Sequence, residues 1–303
     1  MSRWPDHPID IERVRHPGEQ SARSIMLAAA IPMYLVILLY ILISLGTLLI
    51  VIGMVFGMLV LAELMSLAHI RANGMRVGPR QYPEVNDMVE NFSRRLKLQR
   101  PEVYIMQDSM WNAFATKLAK ERVVVLLSGA VDALLLDGND DELAFLVGHE
   151  LGHHAAGHLD WQHRALRIGA WMPFVGAWHR RCMELTCDRV AIACCGDGHI
   201  ALRGLASMTV GALMAPRTDI EAAIAQWNQV RTSLFVTLRT LYSSYPHHLQ
   251  RIDEAYRIAG RWGMLGDSEG EAMDALAHEE LIAAPPVVPR APSAMSNGQG
   301  PLA

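Results

Sequence analysis

Residues 25–62 contain no Asp, Glu, Lys, Arg or His, an uncharged run of 38 residues. The apolar core of a signal peptide is about 7–15 residues long, and no cleavage pattern follows this run. One membrane helix needs about 20 residues. As a single helix the run would be a rod of about 57 Å at about 1.5 Å per residue, against a hydrocarbon layer of about 30 Å. Ser44, Leu45, Gly46 and Thr47 lie at its midpoint and can form a tight turn. The run therefore reads as a transmembrane helical hairpin, residues 25–44 and 47–66. Arg13, Arg15 and Arg23 precede it; Arg71, Arg76 and Arg80 follow it. Basic flanks mark the cytoplasmic side, and a hairpin puts both flanks there. One long tilted span fits the same residues. Pro32 is tolerated in such a helix, and Glu63 falls near the cytoplasmic end, where a charge can reach the interface.

Hydrophobic residues make up 51% of the chain and the mean hydropathy is +0.16, high for a soluble protein. A net charge of −4 gives no electrostatic basis for binding nucleic acid. Four cysteines, Cys182, Cys187, Cys194 and Cys195, crowd one segment without the spacing of a disulfide framework or a Cys-x-x-Cys metal site. They read as small buried apolar residues in a reducing compartment.

The remaining pattern is α+β and mainly helical. Residues 1–24 are polar and read as a cytoplasmic tail. Residues 25–67 form the hairpin, 68–262 one folded domain, and 263–303, rich in Pro, Ala, Gly and Ser, a disordered tail. Within the domain, Val85, Met88, Val89, Phe92 and Leu96 recur at helical spacing. Residues 102–106 and 122–127 read as strands, the second rich in β-branched residues. Residues 108–116 read as a loop, 131–136 as a short helix, and the next helix as running from Asp141 through His163 to about Arg167. Residues 168–178 are apolar but broken by Pro173 and two glycines, too short to span a bilayer; they either pack internally or touch its surface. Helices follow at 179–195, 200–213, 219–242 and up to Arg261.

Inside the helix beginning near Asp141 lies His149-Glu150-Leu151-Gly152-His153. Histidines at i and i+4 share a helical face and can reach one metal ion. Glu150 adjoins them and can act on water at that ion. A catalytic zinc needs a third protein ligand and an open position. One completion is the longer pattern His-Glu-x-x-His-x-x-Gly-x-x-His, but Ala156 and Leu159 stand where Gly and His are required. Gly157 and His158 miss by one position each, which on a helix is a rotation of about 100°. The other is a carboxylate from a later helix: Glu184 and Asp188 again sit at i and i+4, with Asp188 placed to orient a ligand histidine from its far nitrogen. His154, His158, His163 and His179 read as surface or packed histidines.

These motifs, in this order behind a membrane hairpin, resemble the HtpX and CAAX-prenyl-protease type of membrane zinc metallopeptidase, within the gluzincins. The matching pieces are the segments at 149–153 and 184–189, Asn112-Ala113-Phe114-Ala115, and Pro246 followed by Arg251-Ile252. The resemblance implies one Zn2+ per chain held by His149, His153 and Glu184. Glu150 would be the general base and Asp188 a supporting catalytic residue. Asn112 and Arg251 would serve substrate binding, with Arg251 also bracing the site. Tyr245 stands where the family usually has His, with His247 and His248 nearby, and Cys187 replaces a small Ala. The interval between the histidine motif and Glu184 is short, as in a compact member.

The expectation is a membrane zinc metalloendopeptidase of bacterial inner- or plasma-membrane type, its catalytic domain facing the cytoplasm. Its partners would be the lipid bilayer and protein or peptide substrates, membrane or membrane-proximal, cleaved through a zinc water activated by Glu150. The substrate would lie extended along strand 122–127, which the resemblance implies is the edge of a small sheet. The competing reading is a non-catalytic membrane protein with a degenerate protease fold or a structural metal site.

Overall fold

The computed structural model describes residues 4–44, 46–107, 113–118, 121–127 and 140–265. Asn112, the helix expected at 131–136 and all but the first residues of the expected C-terminal tail lie outside them.

The hairpin is formed by α2 (Pro17–Ile43) and α3 (Thr47–Asn73). Gly46 takes φ 84 between them, a left-handed conformation that glycine adopts without steric penalty. Both helices are long and apolar enough to cross a membrane, with a mean hydropathy of 2.6 in each. At about 1.5 Å per residue each is about 40 Å long. Their leucines, isoleucines and valines stand exposed from Leu27 on α2 to Leu64 on α3. Helical structure nevertheless begins well before the uncharged run. The expected polar tail contains α1 (Ile11–Val14) and the first turns of α2, and Trp4, Ile9, Val14, Glu19 and Ala22 are buried. Proline at the first helical position and His16 accepting from the Gly18 amide start α2 at residue 17.

The sheet comprises β1 (Met75–Arg76), β2 (Glu102–Met106), β3 (Ala113–Leu118) and β4 (Glu121–Leu127), in the order β1-β2-β4-β3. β4 runs parallel to β2 and antiparallel to β3. It is therefore an interior strand, and the expectation of an edge at 122–127 is wrong. The reason is in its residues: Val123, Val124, Val125 and Leu126 form an unbroken apolar run, the mark of a strand covered on both faces. Val123, Val125 and Leu127 pack with Leu67 and Ile70 of α3, while Val124 and Leu126 are buried on the opposite face. The edge is β3, whose small and polar residues read as a loop in the sequence.

On the other side of the sheet lie α4 (Pro83–Arg95) and the helix of the histidine motif, α5 (Asp140–Ala155). α5 ends at Ala155 rather than running on. Gly157 at φ 76 turns the chain, and α6 (Trp161–Leu166) is a separate short helix. A 3-10 turn (Arg167–Trp171) leads into α7 (Val175–Cys195), the helix of Glu184 and Asp188. This apolar connector lies against α2, with the Trp171 indole donating to the Ala29 carbonyl at 2.8 Å and Tyr34 to Ala165 O at 2.7 Å, while Trp171 and Phe174 stay largely exposed. α8 (Gly198–Val210), α9 (Ile220–Val230), α10 (Leu234–Tyr242) and α11 (His248–Arg261) complete the domain. The helix expected at 219–242 is thus two helices, α10 starting after Ser233 at its N-cap position. Arg95, fully buried, donates to Ala193 O and Cys194 O at the C-terminus of α7, where the helix dipole favours a cation.

Gly169 tests the docking of the connector on the membrane hairpin. A Cβ there would stand 2.2 Å from Met26 O, a backbone atom that cannot move aside. Gly169→Ala should lower stability by about 1–3 kcal/mol, read as a drop in the unfolding midpoint in detergent. Gly53→Ala, with nothing within 4 Å, should leave the midpoint unchanged or raise it.

Candidate metal centre

α5 and α7 lie antiparallel and unusually close. A Cβ on Gly148 would be 3.0 Å from the Ala191 Cα, and one on Gly152 3.1 Å from the Cys187 Cα. With no side chain at these positions, the face of α5 that carries His149 and His153 meets the face of α7 that carries Glu184 and Asp188.

The geometry at that contact is specific. His149, 1% exposed, places Nδ1 2.9 Å from Asp188 Oδ1 and Nε2 3.3 Å from Glu184 Oε2. His153 places Nε2 3.8 Å from Glu184 Oε1. Both Nε2 atoms thus face one carboxylate. The Nδ1 atom of His153 lies 3.2 Å from Nδ1 of His158, whose Nε2 is 3.2 Å from Glu19 Oε1 on α2. His149, His153 and Cys187 also present ligand atoms within 4.8 Å of one another, a cluster that could hold a metal ion. The Cys187 sulfur lies 3.5 Å from His158 Nδ1.

Charge in the site is unevenly matched. Asp188 accepts from Arg251 through Nε at 2.8 Å and a second nitrogen at 2.6 Å. Burial opposes its charge, but the Arg251 guanidinium and His149 hold its carboxyl well below the usual range. Burial likewise raises the Glu184 carboxyl, yet the His149 contact and the charges around it outweigh that, leaving its pKa at about 2. Glu184 faces two imidazoles and the Tyr245 phenol with no Lys or Arg in contact among the described residues. Its Oε2 is buried without a well-directed hydrogen bond. Burial pushes His149 down, but its Asp188 hydrogen bond and the adjacent Glu184 carboxylate hold its pKa at about 10. Two imidazole nitrogens converging on one carboxylate, whose Oε2 has no well-directed hydrogen bond, are a donor set that fits a divalent metal ion.

Glu150 reaches the edge strand while staying among the charges of the site. It is 5% exposed; burial lifts its carboxyl to about 7, partly offset by the nearby His149 charge and by a hydrogen bond from the Ala115 amide of β3. Arg251 is fully buried against Asp188, so it reaches that carboxylate rather than a surface open to substrate. Tyr245 lies beside it, its ring 5.4 Å from the guanidinium, and burial drives its phenol pKa well up. His247 instead contacts Thr240 Oγ1 at 3.0 Å and the Trp227 ring, and His248 is exposed. His158, expected to be a surface or packed histidine, contacts both His153 and Glu19. An acidic residue in a helix's first turn such as Glu19 carries no signal until the fold brings the two together.

The arrangement is a His-Glu-x-x-His helix joined by a Glu and an Asp from an antiparallel partner, beside β3, the edge strand among the described residues. The profile of "Peptidase family M48" matches residues 79–165. The protease HtpX homolog of Streptococcus pyogenes serotype M49 (strain NZ131) is 30% identical over 103 residues, 34% of each chain. That of Salinibacter ruber (strain DSM 13855 / M31) is 39% identical over 72 residues, 23% of this chain and 25% of its own. That of Tropheryma whipplei (strain Twist) is 35% identical over 88 residues, 29% of each. The matches span about a third or less of these relatives' length. No solved structure matches. The chain resembles the HtpX type of M48 peptidase, at modest identity.

Removing the guanidinium tests how the centre is braced. Arg251→Met leaves Asp188 buried without its cation and should cost about 3–5 kcal/mol of stability. Adding Asp188→Asn should restore part of that loss in a double-mutant unfolding cycle.

Proposed function

We propose that the protein is a membrane-bound zinc metalloendopeptidase that cleaves peptide bonds of membrane or membrane-proximal proteins. The observation that carries this reading is the convergence of His149 Nε2 and His153 Nε2 on Glu184 while both Nδ1 atoms are engaged elsewhere. These three residues would hold Zn2+. Cys187 lies on the Nδ1 side, against His158, and would stay a packing residue. Bound zinc supplies Lewis-acid polarisation of the scissile carbonyl and makes water acidic near neutrality.

The chain's own residues do the rest. Glu150, with its carboxyl near 7, is suited to take a proton from the attacking water and return it to the leaving amine. Asp188 keeps the proton of His149 on Nδ1, which frees Nε2 for the metal. The Tyr245 hydroxyl stays protonated and would donate to the developing oxyanion. The substrate would lie extended along β3, the free edge, rather than along β4, so that main-chain pairing gives loose sequence selection. Asn112, immediately before β3, would line the same cleft. The relatives' name, protease HtpX homolog, agrees with proteolysis.

Both arginine flanks of the hairpin would face the cytoplasm, which sets the catalytic domain on that side. Four buried free cysteines fit a reducing compartment. The competing reading is a structural site closed by Cys187 as a further ligand, which the cluster of His149, His153 and Cys187 favours.

Two measurements separate these readings. Glu150→Gln should retain zinc but lose casein hydrolysis by about 10²–10⁴-fold, and chelation should abolish wild-type hydrolysis, reversibly on adding Zn2+. Cleavage unaffected by either would overturn the zinc mechanism, and a wild-type protein that binds zinc without cleaving casein would leave the structural site. Single cysteines at the exposed positions His7 and Arg80 should both be labelled from the cytoplasmic side; labelling from opposite sides would establish one span.

A further inference from the structure

We infer that Glu19, in the first turns of the membrane hairpin, is a positioning residue that fixes the ring of His153 through His158. The inference rests on the zinc-centre reading above and extends it to residues outside the motif.

Hydrogen-bond directions carry the argument. Glu19 is 1% exposed, although a carboxylate in a helix's first turn is normally served by water and the helix dipole. Its oxygens are instead filled from the domain. Thr186 Oγ1 accepts from the His16 amide at 2.9 Å and donates its own hydrogen to Glu19 Oε2. Oε1 receives Arg15 and His158 Nε2. An ionised carboxylate only accepts, so His158 Nε2 must carry hydrogen. His158 Nδ1 lies 3.2 Å from His153 Nδ1, with the Cys187 sulfur 3.5 Å from the same atom. With His153 Nδ1 as the donor to His158, the Nε2 lone pair of His153 is left facing Glu184. The opposite order would put hydrogen on Nε2 and block it as a ligand.

The two ligand histidines are thus oriented by the same logic at different range. His149 donates directly to the Asp188 carboxylate. His153 donates to a carboxylate through one intervening imidazole, and that carboxylate belongs to α2. The Arg15–Glu19 ion pair alone would serve to attach the N-terminal segment, but it does not require an imidazole relay ending on a motif histidine. Arg15 has Glu12 as a second carboxylate partner, so Glu19 is not needed merely to neutralise it.

The test uses the full-length protein in detergent, stripped of metal. Zn2+ affinity is measured by competition with a chromophoric chelator, and Co2+ alone serves as the spectroscopic probe. His158→Phe keeps an aromatic ring but removes the acceptor, and should weaken Zn2+ binding about 10–100-fold and shift the visible Co2+ bands. His158→Gln, whose amide oxygen can accept from His153, should recover most of the affinity. Glu19→Gln should weaken binding less than His158→Phe, with the metal-free unfolding midpoint near that of wild type. Wild-type affinity and Co2+ bands in both His158→Phe and Glu19→Gln would overturn the relay, as would equal losses in His158→Phe and His158→Gln. If the variants fail to fold, 15N-histidine spectra of the wild-type zinc protein decide. Hydrogen on His153 Nδ1 and His158 Nε2 is expected; the reverse pair overturns the inference. A wild-type protein that binds neither metal would sink the zinc-centre reading itself, and the relay with it.

Discussion

The close approach of α5 and α7 is the constraint on which the rest of the site depends. Gly148 and Gly152 bring the helices near enough for each Cβ position to be filled by the partner's backbone. At that separation the i, i+4 pair of histidines on one helix meets the i, i+4 pair of carboxylates on the other. A helix that is apolar on nearly every side is then obliged to bury charge, and the structure meets that cost with specific partners. Asp188 is shared between His149 and Arg251, and Arg251 in turn is held under Tyr245. A carboxylate this deeply buried is tolerable only because its partners are fixed before any ligand arrives.

The same packing sorts the site's acidic groups by role. Asp188 and Glu184 are held ionised, one by a guanidinium and the other by the imidazoles it faces. Glu150, a neighbour of His149 in sequence, is dominated by burial, which the His149 charge and the Ala115 amide only partly offset. Two carboxyl groups near one helix are thus held ionised while the third keeps a much higher proton affinity. Such separation is what acid–base chemistry beside a cation requires.

Much of this was legible in the sequence because its spacing is local. The uncharged run with a glycine at its centre announces the hairpin, and His149, His153, Glu184 and Asp188 announce themselves as paired residues one helical turn apart. What failed was information held between segments. The apolar run of β4 was taken as a sheet edge, though its unbroken valines mark an interior strand, and the true edge, β3, disguised itself with Ala, Thr and Lys. His158 looked like a near miss of a longer motif and was set aside. Glu19 looked like an ordinary acidic residue in a polar tail, since nothing in residues 1–24 shows that they pack beneath α7. Asn112 rests on resemblance alone.

The N-terminal segment joins the domain over very long stretches of chain: Ile9 bonds to Arg95, His16 to Thr186, and Arg189 to Arg15. Residues that leave the ribosome first must wait for partners synthesised about 170 positions later, as the His16–Thr186 bond requires. Contacts of such sequence separation form late and close large loops. Until α7 has been made, the hairpin bears a carboxylate with part of its eventual partners missing, and α5 lacks the helix that carries Glu184 and Asp188. Membrane insertion and assembly of the centre are thereby consecutive stages of one folding reaction, the second unable to finish before the whole of α7 is available.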